Sequence, residues 1–414
     1  MNMKVRLQLS MMMFLQFFVW GAWFVPLWRY LSKLGFEGPQ IGAAYSTTGW
    51  AAMISPFFVG MIADRFFPTE KILAVLHILG AVVLYWASTI TEPVLFFWIL
   101  LLYTACYMPT LALVNSISFD QMEDPSQQFP AIRVLGTIGW IVAGLVVGLM
   151  PAWVFNLETI EDTNIPLKIS MVVSLILGIY CFTLPHTPPK SLGKKVTVSD
   201  VLGLKALGLI KNPAFLVFVI SSFLICIPLS FYYQSANGFL GELGIKSPAA
   251  KMTLGQFSEI FFMLVMPFFF ARLGVKNMLL VGMLFWVGRY LLFAFGNNQS
   301  LVFMLYLAIL FHGICYDFFF VTGQIYVDSK APLEIRANAQ GFIAFVTLGV
   351  GMVVGNLING LITGHYEAMD AAGNTIHNWR MIWLIPAVMA AVVALLFTLL
   401  FKDKGKVNDM ASAR

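Results

Sequence analysis

The sequence predicts an all-α polytopic membrane protein, with twelve transmembrane helices in two pseudo-symmetric bundles of six. Three observations lead there. Of the 414 residues, 59% are hydrophobic and only 11% are charged, whereas a soluble domain carries roughly 25% charged residues. So few charges cannot cover a surface against water, and lipid is the expected solvent. The apolar residues fall into continuous stretches of the length, about 20 residues, that crosses a hydrocarbon core about 30 Å thick. Finally, the second half of the chain repeats short stretches of the first in the same order.

Cut at charges, Pro and Gly, the stretches run near 8–30, 41–63, 70–90, 94–119, 130–151, 167–185, 212–238, 251–271, 277–295, 300–327, 336–363 and 379–401. Lipid cannot satisfy open backbone groups, so each is expected to be a helix. A β-barrel would show short alternating segments instead. The first stretch, within MNMKVRLQLSMMMFLQFFVW, starts like a secretory leader. It runs past residue 25 without a small-residue cleavage site and therefore reads as a spanning helix.

The longest polar interruption is 186–211, HTPPKSLGKKVTVSDVLGLKALGLIK. It divides an N-terminal bundle, 1–185, from a C-terminal bundle, 212–401, with 402–414 as a short tail. An even number of spans puts both termini on the side of this linker. Lys190, Lys194, Lys195, Lys205 and Lys211 lie in the linker, and Lys4, Arg6, Lys71, Arg272, Lys276, Lys330 and Lys402 fall on the same side. The excess of Lys and Arg predicts that this side, with both termini, is cytoplasmic. The net charge of +5 is small and predicts no nucleic-acid partner. Cys106, Cys181, Cys226 and Cys315 are far apart and form no C-x-x-C, which predicts neither disulfide nor metal site.

The repeat has three members. SPFFVGMIADRF (55–66) pairs with MPFFFARLGVKN (266–277), NSISFDQ (115–121) with GQIYVDS (323–329), and PAIRVLGTIG (130–139) with LEIRANAQGF (333–342). A parallel repeat of six helices resembles the plan of major facilitator transporters, in which the halves rock in alternating access around a substrate site between them. In the loop GMIADRFFPTEK, Gly60, Asp64 and Arg65 match the G-x-x-x-D-R core of that superfamily's signature. Asp64 is expected there as a conformational latch, although of the basic residues that usually follow only Lys71 remains. No P-loop is present, so ATP is not the expected drive. No H-E-x-x-H or paired histidine set predicts a metal. No cofactor is expected, nor any catalytic nucleophile or base of an enzyme, and a sensor would need a larger output domain than the tail provides.

Residues 254–269, LGQFSEIFFMLVMPFF, place Glu259 in an apolar run. A charge at the bilayer centre costs about 2.5–3.5 kcal/mol on insertion scales, so Glu259 must be paired, neutral or facing water. Gln256, three residues earlier, shares its helix face. A carboxylate beside an amide suits hydroxyls or a base edge; a helix–helix pair is the plainer alternative. The tenth stretch, LFHGICYDFFFVTGQIY, carries Asp317 at mid-span, with His312, Tyr316 and Phe320 as a neighbouring stripe. A carboxyl that alternates between an apolar setting and a polar one can carry a proton; a static ion pair is the alternative. His312 reads as a hydrogen-bonded filler. The fifth stretch, FPAIRVLGTIGW, puts Arg133, Thr137 and Trp140 on one face, fit for a polar ring compound, with Arg133 also a possible counter-charge to Glu259 or Asp317. Gln16 in the first stretch, Asn115 in the fourth and Gln340 in the eleventh add amides, whereas Trp20 and Trp23 read as packing. Gly144/Gly148, Gly351/Gly355 and Gly360/Gly364 read as close-packing pairs.

FLQFFVWGAW, YMPTLALVNSIS, FPAIRVLGTIGW, SEIFFMLVMPFF, YDFFFVTG and IRANAQG are together similar to the nucleoside:proton symporter family of the major facilitator superfamily, from the first span through the eleventh. The resemblance implies proton-driven uptake of nucleosides across a bacterial cytoplasmic membrane, by a monomer set in the lipid bilayer. It also implies that Arg133, Thr137, Gln256, Glu259, Tyr316 and Asp317 line the site. Glu259 is expected to contact substrate and Asp317 to carry the proton, with Trp140, Tyr316 or Phe320 stacking on the base. One stretch departs from the family: CIPLSFYYQSANGF places Ser230 and Tyr233 where an amide pair is usual, with Gln234 and Asn237 nearby. Base preference or sugar contacts are expected to differ accordingly. Pro228 predicts a kink there. The rival expectation is a proton-coupled sugar or oligosaccharide symporter on the same scaffold.

Overall fold

The computed structural model describes residues 2–63, 67–150, 154, 157–189, 204–332 and 335–403. Asp64 and Arg65 of the signature loop, and the surroundings of Gly60, lie outside the described residues.

Apolar composition becomes helix almost throughout. The helices are α1 Met3–Phe24, α2 Leu27–Lys33, α3 Gly38–Ala63, α4 Thr69–Ala87, α5 Pro93–Asp120, α6 Pro125–Leu149 and α7 Ile165–Cys181. After a short 3-10 turn, Leu204–Lys211, come α8 Pro213–Glu242, α9 Pro248–Phe295 and α10 Val302–Tyr316. A π-helical turn, Asp317–Val321, leads into α11 Thr322–Lys330; α12 Arg336–Ala344 passes through a second π-helical stretch, Phe345–Gly351, into α13 Met352–His365. A small antiparallel hairpin, β1 Glu367–Met369 with β2 Thr375–His377, precedes α14 Trp379–Leu400.

Several starts are set locally. Glu92 accepts from the amides of Val94 and Leu95, with Pro93 opening α5. Asn212 does the same for Ala214 and Phe215 ahead of Pro213. Both combine a side-chain cap with a proline at the position whose N–H has no helical partner.

Among the described residues, nine helical stretches are long and apolar enough to cross a membrane. The longest, α9, has 48 residues. At 1.5 Å per residue it exceeds one crossing about twofold, and it breaks at Gly274, whose φ of 65° and ψ of 176° are not helical. A backbone at that φ favours glycine. The surface fits lipid: α14 buries Trp383, Ala387, Ala390 and Ala394 and exposes Val388, Val392, Leu395 and Leu399. A helix whose outer face is Val and Leu needs an apolar solvent.

The chain forms two compact units. The first comprises Met1–Val196 and Ile245–Thr253, the second Thr197–Gly244 and Leu254–Arg414. In the first, α1 packs on α6 and α7, and α4 and α3 on α5. Fully buried Glu161 accepts from the amide of Ala249 at 3.2 and 3.3 Å and has Arg29 Nη1 at 3.9 Å. A carboxylate at the first turn of a helix is favourable to the helix dipole. In the second unit α8 is central, packing on α13, α14 and the π-helical stretch 345–351.

Candidate functional site

Polar side chains inside the first unit gather where α1, α4, α5 and α7 meet. Gln16 Nε2 donates to Thr110 Oγ1 at 2.7 Å, and His77 Nε2 lies 2.8 Å from Gln16 Oε1. A carboxamide oxygen only accepts, so His77 carries its proton on Nε2. Thr110 passes its own proton to the carbonyl of Tyr107, and the Tyr107 hydroxyl donates to the carbonyl of Gln16 at 2.6 Å. Ser174 donates to the carbonyl of His77 at 3.0 Å. The four residues at the centre, Gln16, His77, Tyr107 and Thr110, are buried, and both ends of the Gln16 amide are engaged within the unit.

Beside this network stands an aromatic wall. Trp20 contacts Tyr107 and Trp140 edge-on, with centroids 5.9 and 5.6 Å apart. Arg133 is half-buried, its guanidinium carbon 4.3 Å from the centre of the Phe17 ring, within cation–π range. Thr137, Trp140 and Asn115 are also half-buried.

The second unit builds its cluster around α10. Two glycines bring the first part of α9 against it. A Cβ on Gly313 would lie 2.5 Å from the backbone carbonyl of Ser258 and 2.6 Å from the amide of Glu259, and one on Gly255 would lie 3.1 Å from His312 Cβ. The Ser258 hydroxyl donates to the carbonyl of Leu310 across this contact. Glu259 thereby faces His312, with Oε2 at 3.9 Å from Nε2, close enough for electrostatic attraction but beyond hydrogen-bond length. Gln256, one turn earlier, is buried.

Along α10 and into the π-helical turn the predicted stripe is present: His312 to Tyr316 is 5.8 Å and Tyr316 to Phe320 is 5.1 Å between centroids. Tyr233 of α8 meets His312 edge-on at 6.0 Å. Ser230, in contrast, is fully buried in helix packing. It donates to the carbonyl of Ile227 at 2.7 Å, and its Oγ is 2.7 Å from where a Gly355 Cβ would stand.

Asp317 opens the π-helical turn, is fully buried, and neither of its carboxylate oxygens has a hydrogen-bond partner. Single π-turns inside α-helices are frequent at functional sites. Most buried polar atoms are partnered. A buried carboxylate is costly in its ionised form and far less so as the neutral acid.

One member of the cluster escaped the reading of the sequence. Arg289, in the second part of α9, is fully buried and donates from Nη1 to His312 Nδ1 at 3.2 Å. Its guanidinium carbon sits 3.3 Å from the centre of the Tyr232 ring, which itself stacks on His312 at 5.1 Å. The signal was present as a lone arginine in LFWVGRYLL.

A polytopic helical membrane protein of two units, with a buried, unpartnered carboxyl beside an aromatic stripe, has the build of a secondary transporter. The model of the nucleoside H+ symporter family matches residues 3–406, and the chain belongs to that family. It is 47% identical to the putative nucleoside transporter YegT of Escherichia coli (strain K12), over 97% of this chain and 95% of that one. It is 33% identical to the xanthosine permease of the same organism, over 97% and 96%. The crystal structure of the nucleoside transporter NupG superposes with a TM-score of 0.86 at 33% identity, covering 98% of this chain and all of that one.

Proposed function

We propose that this protein imports nucleosides together with protons across a bacterial cytoplasmic membrane, with both termini in the cytoplasm, and that it works as a monomer. Family membership over nearly the whole chain supports nucleosides rather than free sugars. Within that reading Asp317 carries the proton and Glu259, with Gln256, holds substrate hydroxyls. Tyr316 and Phe320 offer faces for the base, and stacking of this kind is worth roughly 1–3 kcal/mol per base. Within the first unit, Arg133, Thr137 and Trp140 offer a cationic donor, a hydroxyl and a ring as substrate contacts.

The single observation that carries the proton assignment is the buried Asp317 carboxyl without a partner. A proton taken up there removes the cost of the buried charge, and rehydration of the group on the other side of the transport cycle restores the anion. Counterflow in proteoliposomes with labelled uridine, adenosine, inosine and xanthosine, against free ribose as competitor, tests the substrate class. The expected result is exchange of at least one nucleoside, inhibited by other nucleosides and not by ribose. Inhibition by ribose as strong as by nucleosides would favour the sugar-symporter alternative.

A further inference from the structure

The buried arginine of α9 has no obvious reason to be where it is. A guanidinium is charged at every accessible pH and presents five donors and no acceptor. Among the described residues no carboxylate forms an ion pair with Arg289, and its Nε and Nη2 have no hydrogen-bond partner. What it does contact is specific: His312 Nδ1 at 3.2 Å and the face of Tyr232 at 3.3 Å.

That contact decides the chemistry of His312. Arg289 can only donate, so Nδ1 must be the lone-pair nitrogen, and the imidazole proton is forced onto Nε2. Nε2 is the nitrogen that faces Glu259 Oε2 at 3.9 Å. A second proton would need Nδ1, whose lone pair is occupied, so the ring is kept neutral as a donor aimed at Glu259. The ring is held in the stack of Arg289, Tyr232 and His312, and the Gly255 contact falls on its Cβ. Tyr233 and Tyr316 are further ionisable side chains that face His312.

We propose that Arg289 and His312 are positioning residues for Glu259: the arginine sets the histidine tautomer, and the Nε2–H left facing Glu259 holds that carboxylate electrostatically where it meets the hydroxyls of a nucleoside. This deepens the reading of Glu259 as a substrate contact and rests on it. The arrangement resembles in logic a metal-site histidine held by its outer partner, where the second nitrogen's hydrogen bond fixes which nitrogen works.

The test is a double-mutant cycle read by hydroxyl specificity. In counterflow, the half-saturating concentrations of uridine and 2′,3′-dideoxyuridine are measured for wild type, E259Q, R289M, H312L, R289M/E259Q and H312L/E259Q. Wild type should prefer uridine by at least tenfold. E259Q, R289M and H312L should each reduce that preference at least threefold, and the double variants should lose no more than E259Q alone, since interacting residues are non-additive. H312Q, whose amide both accepts and donates, should restore part of the preference, and R289K should lie between wild type and R289M. R289M frees Nδ1 to take a proton, so the pH profile of its exchange between about 5 and 8 should differ from that of wild type. Should R289M or H312L prove unstable, R289K and H312Q carry the same comparison. Unchanged uridine preference in E259Q overturns the reading of Glu259 itself. Lost preference in E259Q with wild-type preference in the Arg289 and His312 variants, or losses that add in the double variants, overturns the positioning role alone.

Discussion

Each unit buries a histidine within a polar cluster, and the two clusters end differently. In the first unit every strong group closes on another: His77 to Gln16, Gln16 to Thr110, Thr110 to Tyr107, and Tyr107 back to Gln16. In the second, Arg289 leads to His312 and His312 points to Glu259 without reaching hydrogen-bond distance, while Asp317 stands without a partner. A closed network spends its polar groups on holding helices together. One that ends in unpartnered carboxyl and guanidinium atoms keeps hydrogen-bonding capacity for a ligand, a proton or water. The contrast is between a closed set of hydrogen bonds and an open one inside one chain.

The largest effect expected concerns the open end. Asp317→Asn should abolish accumulation of nucleoside driven by an inward proton gradient while leaving nucleoside exchange in place. Uptake and counterflow in the same proteoliposomes check it, and accumulation at the wild-type level would move the proton elsewhere. Next comes the helix contact that aims Glu259. Gly313→Val would press side-chain carbons against the backbone of Ser258 and Glu259, which cannot yield as a flexible side chain can. Transport should fall at least tenfold, and overpacking should cost about 1–3 kcal/mol of stability, read as a lowered midpoint of thermal unfolding in detergent.

The closed network should answer differently. Gln16→Leu leaves His77 and Thr110 each short of a partner, at about 1–3 kcal/mol per buried group, so thermal stability should drop. The folded fraction should keep wild-type affinity in a binding assay. A variant as stable as wild type but poor in affinity would turn Gln16 into a substrate contact and erase the contrast between the units.

The smallest effect lies outside both clusters. Asp370 accepts from the amides of Ala372 and Asn374 and from the Asn374 side chain, and these bonds hold its carboxyl below the ordinary 3.8. A lowered folded-state value means that the stabilisation is complete above about pH 4 and is lost as pH falls further. Asp370→Asn should therefore loosen only the hairpin Glu367–His377, seen as faster amide exchange there at pH 7 with transport unchanged. The difference from wild type should vanish in acid.

Much of this was legible in the sequence because lipid makes polarity conspicuous. Glu259 and Asp317 stood out against apolar runs, and the spacing of His312, Tyr316 and Phe320 put them on one stripe, where successive rings lie 5.8 and 5.1 Å apart. Arg289 carried the same signal and was overlooked, since a long cationic side chain six residues from the end of its stretch is expected to reach for the membrane surface. Only the tertiary contact with His312 turns it inward. Gln16 and Ser230 show the other limit. Which side of an amide or hydroxyl is already engaged depends on helices 61 and 94 residues away for Gln16, and on the approach of Gly355 for Ser230. The π-turn at Asp317 leaves no compositional trace, being a shift in one round of backbone hydrogen bonds.

In the proposed mechanism the partnerless carboxyl of Asp317, which opens the π-helical turn after α10, ties proton movement to nucleoside movement. Adding a transported nucleoside to weakly buffered vesicles containing the wild-type protein should make the external medium more alkaline as protons enter with it. With Asp317→Asn the pH trace should stay flat while labelled nucleoside still exchanges; an undiminished alkaline shift in that variant would contradict the account.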